Sequence, residues 1–192
     1  MSYLHHPLAI SRKALPVNCA TPHRSRGIMH WFTNYFAITN KITMLKIPPP
    51  IITLLVFTGM YVLSRFVPLG RIDLPALTYV GFLLMAAGIA IDLIGAIQFR
   101  RARTTINPLK PQNSTAIVKT GLYRISRNPM YLGMLIVLTG VAFILKTVVA
   151  FLLLPLFVLL INRLQIIPEE TILAKKFPVE YPDYKKSVRR WL

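Results

Sequence analysis

Cysteine and acid are nearly missing from this chain. The single cysteine among 192 residues, Cys19, rules out an internal disulfide. With one thiol, and with all four histidines in the first 43 residues, no metal site is readable. Six Asp and Glu stand against 23 Lys and Arg, a formal net charge of +17. Such a balance suits nucleic acid. Yet the chain is 54% hydrophobic with a mean hydropathy of +0.54, more apolar than ordinary soluble domains. Nucleic-acid binders of this kind lack long apolar spans. Apolar bulk with detached basic loops marks an integral membrane protein.

What is present is a series of apolar runs. The first 43 residues are a basic tail holding Arg12, Lys13, Arg24, Arg26 and Lys41 and no acid. They read as disordered, or as lying upstream of a start at Met44, with an interfacial helix over residues 31–45 as an alternative. Residues 44–192 form the membrane domain. A first span covers about 50–67, with Pro48, Pro49 and Pro50 stiffening its entrance. A second covers about 74–99. Gly81, Gly88 and Gly95 recur in it every seven residues and form one face open to close approach by another helix. Asp92 lies on that face. A carboxylate inside an apolar span is costly, so it faces the bundle, either bonded to a neighbouring helix or serving function. A polar, basic stretch follows. The run from Met130 to Leu164 is too long for one helix and is broken at Lys146 and Thr147, so it reads as a helical hairpin. Its second arm ends near Leu164, with Pro155 as a kink site. Residues 168–192 are polar and amphipathic and predict one or two short surface helices.

Orientation follows from the cations. Grouped by the connecting segment that each lies in or borders, Lys and Arg number 6, 2, 7, 1 and 7 in chain order. This alternation predicts an all-α membrane protein with about four transmembrane helices and both termini in the cytoplasm, with a helical C-terminal segment there. The expected location is the inner membrane of a bacterium.

At the hairpin's entrance, residues 120–133 read TGLYRISRNPMYLG; at its exit stand Glu169 and Glu170, the one adjacent pair among six acids. A hairpin returns to the side it left, so the two clusters can meet. Each part has an ordinary reading by itself. Glu169 and Glu170 suit surface ion pairs, or the first turn of a helix opening at Pro168. Arg124 and Arg127 suit lipid phosphates. Tyr123 and Tyr131 suit interface anchors, and Asn128 before Pro129 suits a turn.

Together they resemble the isoprenylcysteine carboxyl methyltransferases and phospholipid N-methyltransferases, over about residues 45–192. In that family an R-H-P-x-Y-x-G cassette and a Glu-Glu pair flank a membrane hairpin, and the tail reads roughly E-E-x-x-L-x-x-x-F-G-x-x-Y-x-x-Y. Here the matching residues are Arg127 to Gly133, then Glu169, Glu170, Leu173, Phe177, Pro178, Tyr181 and Tyr184. The resemblance implies methyl transfer from S-adenosylmethionine, bound at the cytoplasmic face, to a membrane-embedded or hydrophobic acceptor. A prenylcysteine-like carboxylate, a lipid amine and a small thiol all fit. It implies a cofactor site of Arg127, Asn128, Tyr131, Gly133, Glu169, Glu170 and Tyr181, with Arg127, Asn128 and Glu170 as catalytic candidates. Arg124 and Asp92 are candidates for acceptor contacts. Membrane lipids are the expected partners, with no metal and no nucleic acid. Two residues depart from the pattern: Asn128 stands where the family has His, and Pro178 where it has Gly. Asn can hydrogen-bond but cannot serve as a base near neutral pH. That departure keeps a second reading open, a non-catalytic lipid-binding or assembly subunit on the same scaffold.

Overall fold

A computed structural model describes residues 47–67, 70–72, 74–102 and 116–192 of the chain. The basic tail, the alternative interfacial helix and the Met44 start lie outside the described residues. Helix α1 spans Pro49–Phe66, α2 Ala76–Arg101 and α3 Pro129–Leu145. Helix α4, Val148–Ile161, runs through a π-helical turn, Asn162–Ile166, into α5, Ile167–Lys176. A short α6, Glu180–Ser187, follows. Among the described residues the only β pairing is two isolated bridges. The domain is thus an all-helical membrane protein. Three helices are long and apolar enough to cross a bilayer, and the shorter apolar α3 is the fourth.

The seven-residue glycine repeat forms the contact it predicts. Gly81, Gly88 and Gly95 are the buried residues of α2. A Cβ on Gly88 would lie 2.6 Å from the Gly133 carbonyl oxygen, and one on Gly81 would lie 2.6 Å from that of Gly140. Helices α2 and α3 therefore run antiparallel, backbone against backbone, as membrane interfaces rich in small residues allow. On the other flank, Ile52, Val56 and Met60 of α1 join Leu138, Phe157 and Ile161 in one buried cluster. The outward faces stay apolar: Leu55, Phe66, Leu83 and Leu152 are exposed. An apolar surface on every side suits lipid rather than water.

The hairpin turns where the sequence marks it. Lys146 takes a left-handed conformation, φ 55°, and ends α3. The tip is pinned by the α1–α2 connector. Ile72 N–H donates to the Lys146 carbonyl at 2.9 Å and Val148 N–H to that of Gly70 at 3.3 Å. Both short loops thus lie at one end of the bundle, and the polar cassette and Glu pair at the other.

One expectation needs correction. The second arm does not stop near Leu164, and Pro168 does not open a new helix. Residues 148–176 form one helical rod of 29 residues. Proline in a helix interior has no N–H to donate and crowds the carbonyl four residues back. The wide turn immediately before it absorbs this: Ile167 N–H reaches back five residues, to the Asn162 carbonyl. The first-turn dipole reading of the Glu pair loses its basis, because the backbone before Pro168 is helical. The rod has a further consequence. At 1.5 Å per residue it is roughly 43 Å long against a hydrocarbon core of roughly 30 Å. Glu169 and Glu170 therefore emerge at the membrane surface.

Candidate functional site

The cassette starts with a glycine that only glycine fits. Gly121 has φ +60°, and a Cβ there would strike the Gln98 side chain. The approach lets Leu122 N–H donate to Gln98 Oε1 at 3.1 Å, tying the cassette to the end of α2. Tyr123 is buried edge-on against Phe99, with ring centroids 5.0 Å apart. Its carbonyl accepts the Tyr184 hydroxyl at 2.6 Å, which docks α6 onto the cassette. Burial holds the Tyr123 and Tyr184 hydroxyls above their ordinary pKa.

The hairpin brings the two separated clusters together. Arg127 Nη1 lies 2.9 Å from Glu170 Oε1, and both side chains are buried. Tyr131, in the first turn of α3, donates its hydroxyl to Glu169 Oε1 at 2.8 Å. Tyr181 arrives from α6, 3.5 Å from Arg127 Nη1. Burial pushes its hydroxyl up to about 12, so it remains protonated at neutral pH. Among the described residues three buried side-chain polar atoms have no hydrogen-bond partner: Thr147 Oγ1 at the hairpin tip, Arg127 Nε and Asp92 Oδ1.

The two carboxylates differ. Glu170 is saturated with cations. Besides Arg127 it takes a two-point pair from Arg190, Nε to Oε1 at 3.0 Å and Nη2 to Oε2 at 2.7 Å, and Lys185 Nζ lies 3.5 Å from Oε2. The hydrogen bond to Glu170 holds the Arg190 guanidinium above its ordinary pKa. Glu169 has only its phenol: no ion pair to it is found among the described residues.

Of the remaining residues named from sequence, Gly133 lies against Asp92, whose Oδ1 occupies the space a Cβ would need. Asn128 is at the start of α3, but its side chain does not cap the helix. Its Nδ2 donates instead to the Arg190 carbonyl at 3.0 Å. Arg124, within the cassette, is exposed, and none of the contacts above reaches it. Sequence reasoning missed Arg190, Lys185 and Ser126. The one signal was scarcity: a buried carboxylate in a chain of six acids must gather cations. With 23 cations to choose from, it did not say which.

Helices apolar on all sides and a cluster of acid, guanidinium and phenol at one membrane face define an integral membrane protein with a polar surface site. The phospholipid methyltransferase family model matches residues 77–180, more than half of the chain. An uncharacterized protein of Haemophilus influenzae is 46% identical over 63 residues, one third of this chain and all of that relative. No solved structure matches. The chain belongs to the phospholipid methyltransferase family, and membership implies a methyltransferase working at a membrane.

Proposed function

We propose that this protein transfers a methyl group from S-adenosylmethionine to a lipid-like or otherwise hydrophobic acceptor, at the cytoplasmic face of a bacterial inner membrane. The observation that carries the reading is the meeting of Arg127 and Tyr131 with Glu170 and Glu169 across the hairpin. When bound, the donor supplies an electrophilic methyl group on a sulfonium cation and carries a carboxylate of its own. The residues fit that chemistry. Glu169, held by Tyr131 and with no cation paired to it among the described residues, suits the positive end. Arg127 Nε is buried and has a hydrogen bond to give, which suits a carboxylate. Tyr131 and Tyr181 offer ring faces of the kind that attract cations.

The proposed donor site is Arg127, Asn128, Tyr131, Gly133, Glu169, Glu170 and Tyr181. Arg127 and Glu169 make the direct polar contacts. Glu170 and Asn128 act through Arg127 and Arg190. Arg124 and Asp92 are the proposed acceptor contacts, Asp92 because its Oδ1 is buried and unsatisfied. The chain's task is to hold, orient and keep water out, the contributions that dominate when no covalent intermediate with the protein is needed. The acceptor enters sideways between helices from the lipid.

Calorimetric titration of detergent-purified protein with S-adenosylmethionine tests the donor. Labelled donor incubated with membranes, followed by identification of the labelled product, tests the acceptor. Saturable binding and a labelled lipid or hydrophobic product are expected. No binding would leave the non-catalytic scaffold as the better reading.

A further inference from the structure

The last four residues before the C-terminus, Val188 to Trp191, make a set of contacts at this site that the family match, ending at residue 180, does not reach. Ser126 and Arg189 form a parallel bridge, and Arg127 N–H donates to the Arg189 carbonyl at 3.0 Å. The next carbonyl, that of Arg190, accepts from both Asn128 Nδ2 at 3.0 Å and Ser126 Oγ at 3.3 Å. Trp191 Nε1 then donates to Asn162 Oδ1 at 3.2 Å, inside the π-helical turn. The segment thus crosses from the cassette on one hairpin arm to the wide turn on the other. At its middle the Arg190 guanidinium grips both oxygens of Glu170.

We propose that this segment is a strap that sets the donor site, with Arg190 as its positioning residue. The proposal rests on the donor reading above. Arg127 alone cannot fix Glu170, because a single contact leaves a carboxylate free to rotate. A two-point guanidinium pair fixes both its distance and its plane. With Glu170 held, Arg127 Nη1 is held against it. Arg127 Nε then keeps its hydrogen bond for a ligand, and Glu169, the adjacent residue on α5, is left with Tyr131 alone. The strap therefore divides the paired acids: Glu170 is its latch and Glu169 the carboxylate left for a cation. Asn128 has a defined part in this, since its amide holds the strap by the Arg190 carbonyl.

The test uses the full chain in detergent, read by donor calorimetry and by steady-state turnover. Arg190→Ala should weaken donor binding about tenfold, the low end for losing a hydrogen bond to a charged group when one partner is a third exposed. The loss should fall on the KM for the donor more than on kcat. Arg190→Lys should recover part of it, because a point charge replaces one contact of two. Ethylguanidinium added to Arg190→Ala should restore binding in a saturable way. Unchanged donor affinity in Arg190→Ala, beside a wild type that binds, would overturn the strap and leave the donor site standing. Weakened binding that ethylguanidinium does not restore would also overturn it, since general misfolding would then be the cause. A wild type that fails to bind would instead remove the donor reading itself.

Discussion

At the scale of single residues, the site separates two acids that the sequence presents as equals. Glu169 and Glu170 adjoin one another, yet one is bonded to a phenol and the other to three cations. This makes distinct predictions. Tyr131→Phe removes the hydroxyl that holds Glu169. Burial pushes the Glu169 carboxyl up to about 8, so the bond is that of a largely neutral pair, about 0.5–1.5 kcal/mol, and donor affinity should fall about two- to tenfold with the helices intact. Calorimetry and circular dichroism on the same preparation check both halves. Asn128 is the second case. Its side chain donates to a backbone carbonyl, a task that a histidine N–H can also perform. Asn128→His should therefore keep turnover near the wild-type level, and Asn128→Ala should weaken donor binding by no more than Arg190→Ala does. A large gain with His would mean that the residue works as a base in relatives, and that its present role is a substitute.

At the scale of elements, the decisive contact is between α2 and α3. The glycine repeat was legible because its spacing of seven returns the same face of a helix. Its partners, Gly133 and Gly140, were legible only as glycines in an apolar run. Gly88→Ala is predicted to destabilise the protein by about 1–3 kcal/mol, the range for forcing a methyl into a filled interface. The atoms in its way are the backbone of Gly133 and Val137, which cannot swing aside. A lower thermal midpoint in detergent is the expected result. The π-helical turn was not legible. Pro168 read as a helix start because proline most often sits there. Here the preceding turn widens instead, and within it Asn162 Oδ1 accepts from Trp191 Nε1 while Gln165 Nε2 donates to the Ile47 carbonyl.

At the scale of the whole molecule, both short loops gather at one end, and the cassette and the basic C-terminal segment at the other. The expected topology has a simple readout. In a Cys19→Ser background, Ile72→Cys beside the hairpin tip should react with an impermeant maleimide in intact cells. Ser187→Cys at the end of α6 should react only after permeabilisation. The reverse pattern would turn the molecule over and put the donor site on the side away from the cytoplasm.

The order of the spans, the hairpin and the membrane character were written in the chain itself. Apolar length and cation placement act locally, so each run of residues carries its own instruction. Which cations close around Glu170 was decided only in three dimensions. The cassette marked Arg127, but Arg190 lies 63 positions further on, and nothing in its neighbours' identity sets it apart from the other basic residues. The selection came from the bend at Lys146, the wide turn before Pro168 and the strap that follows α6. Those are geometric events whose partners are distant in sequence, and charge alone acts on any of 23 cations alike.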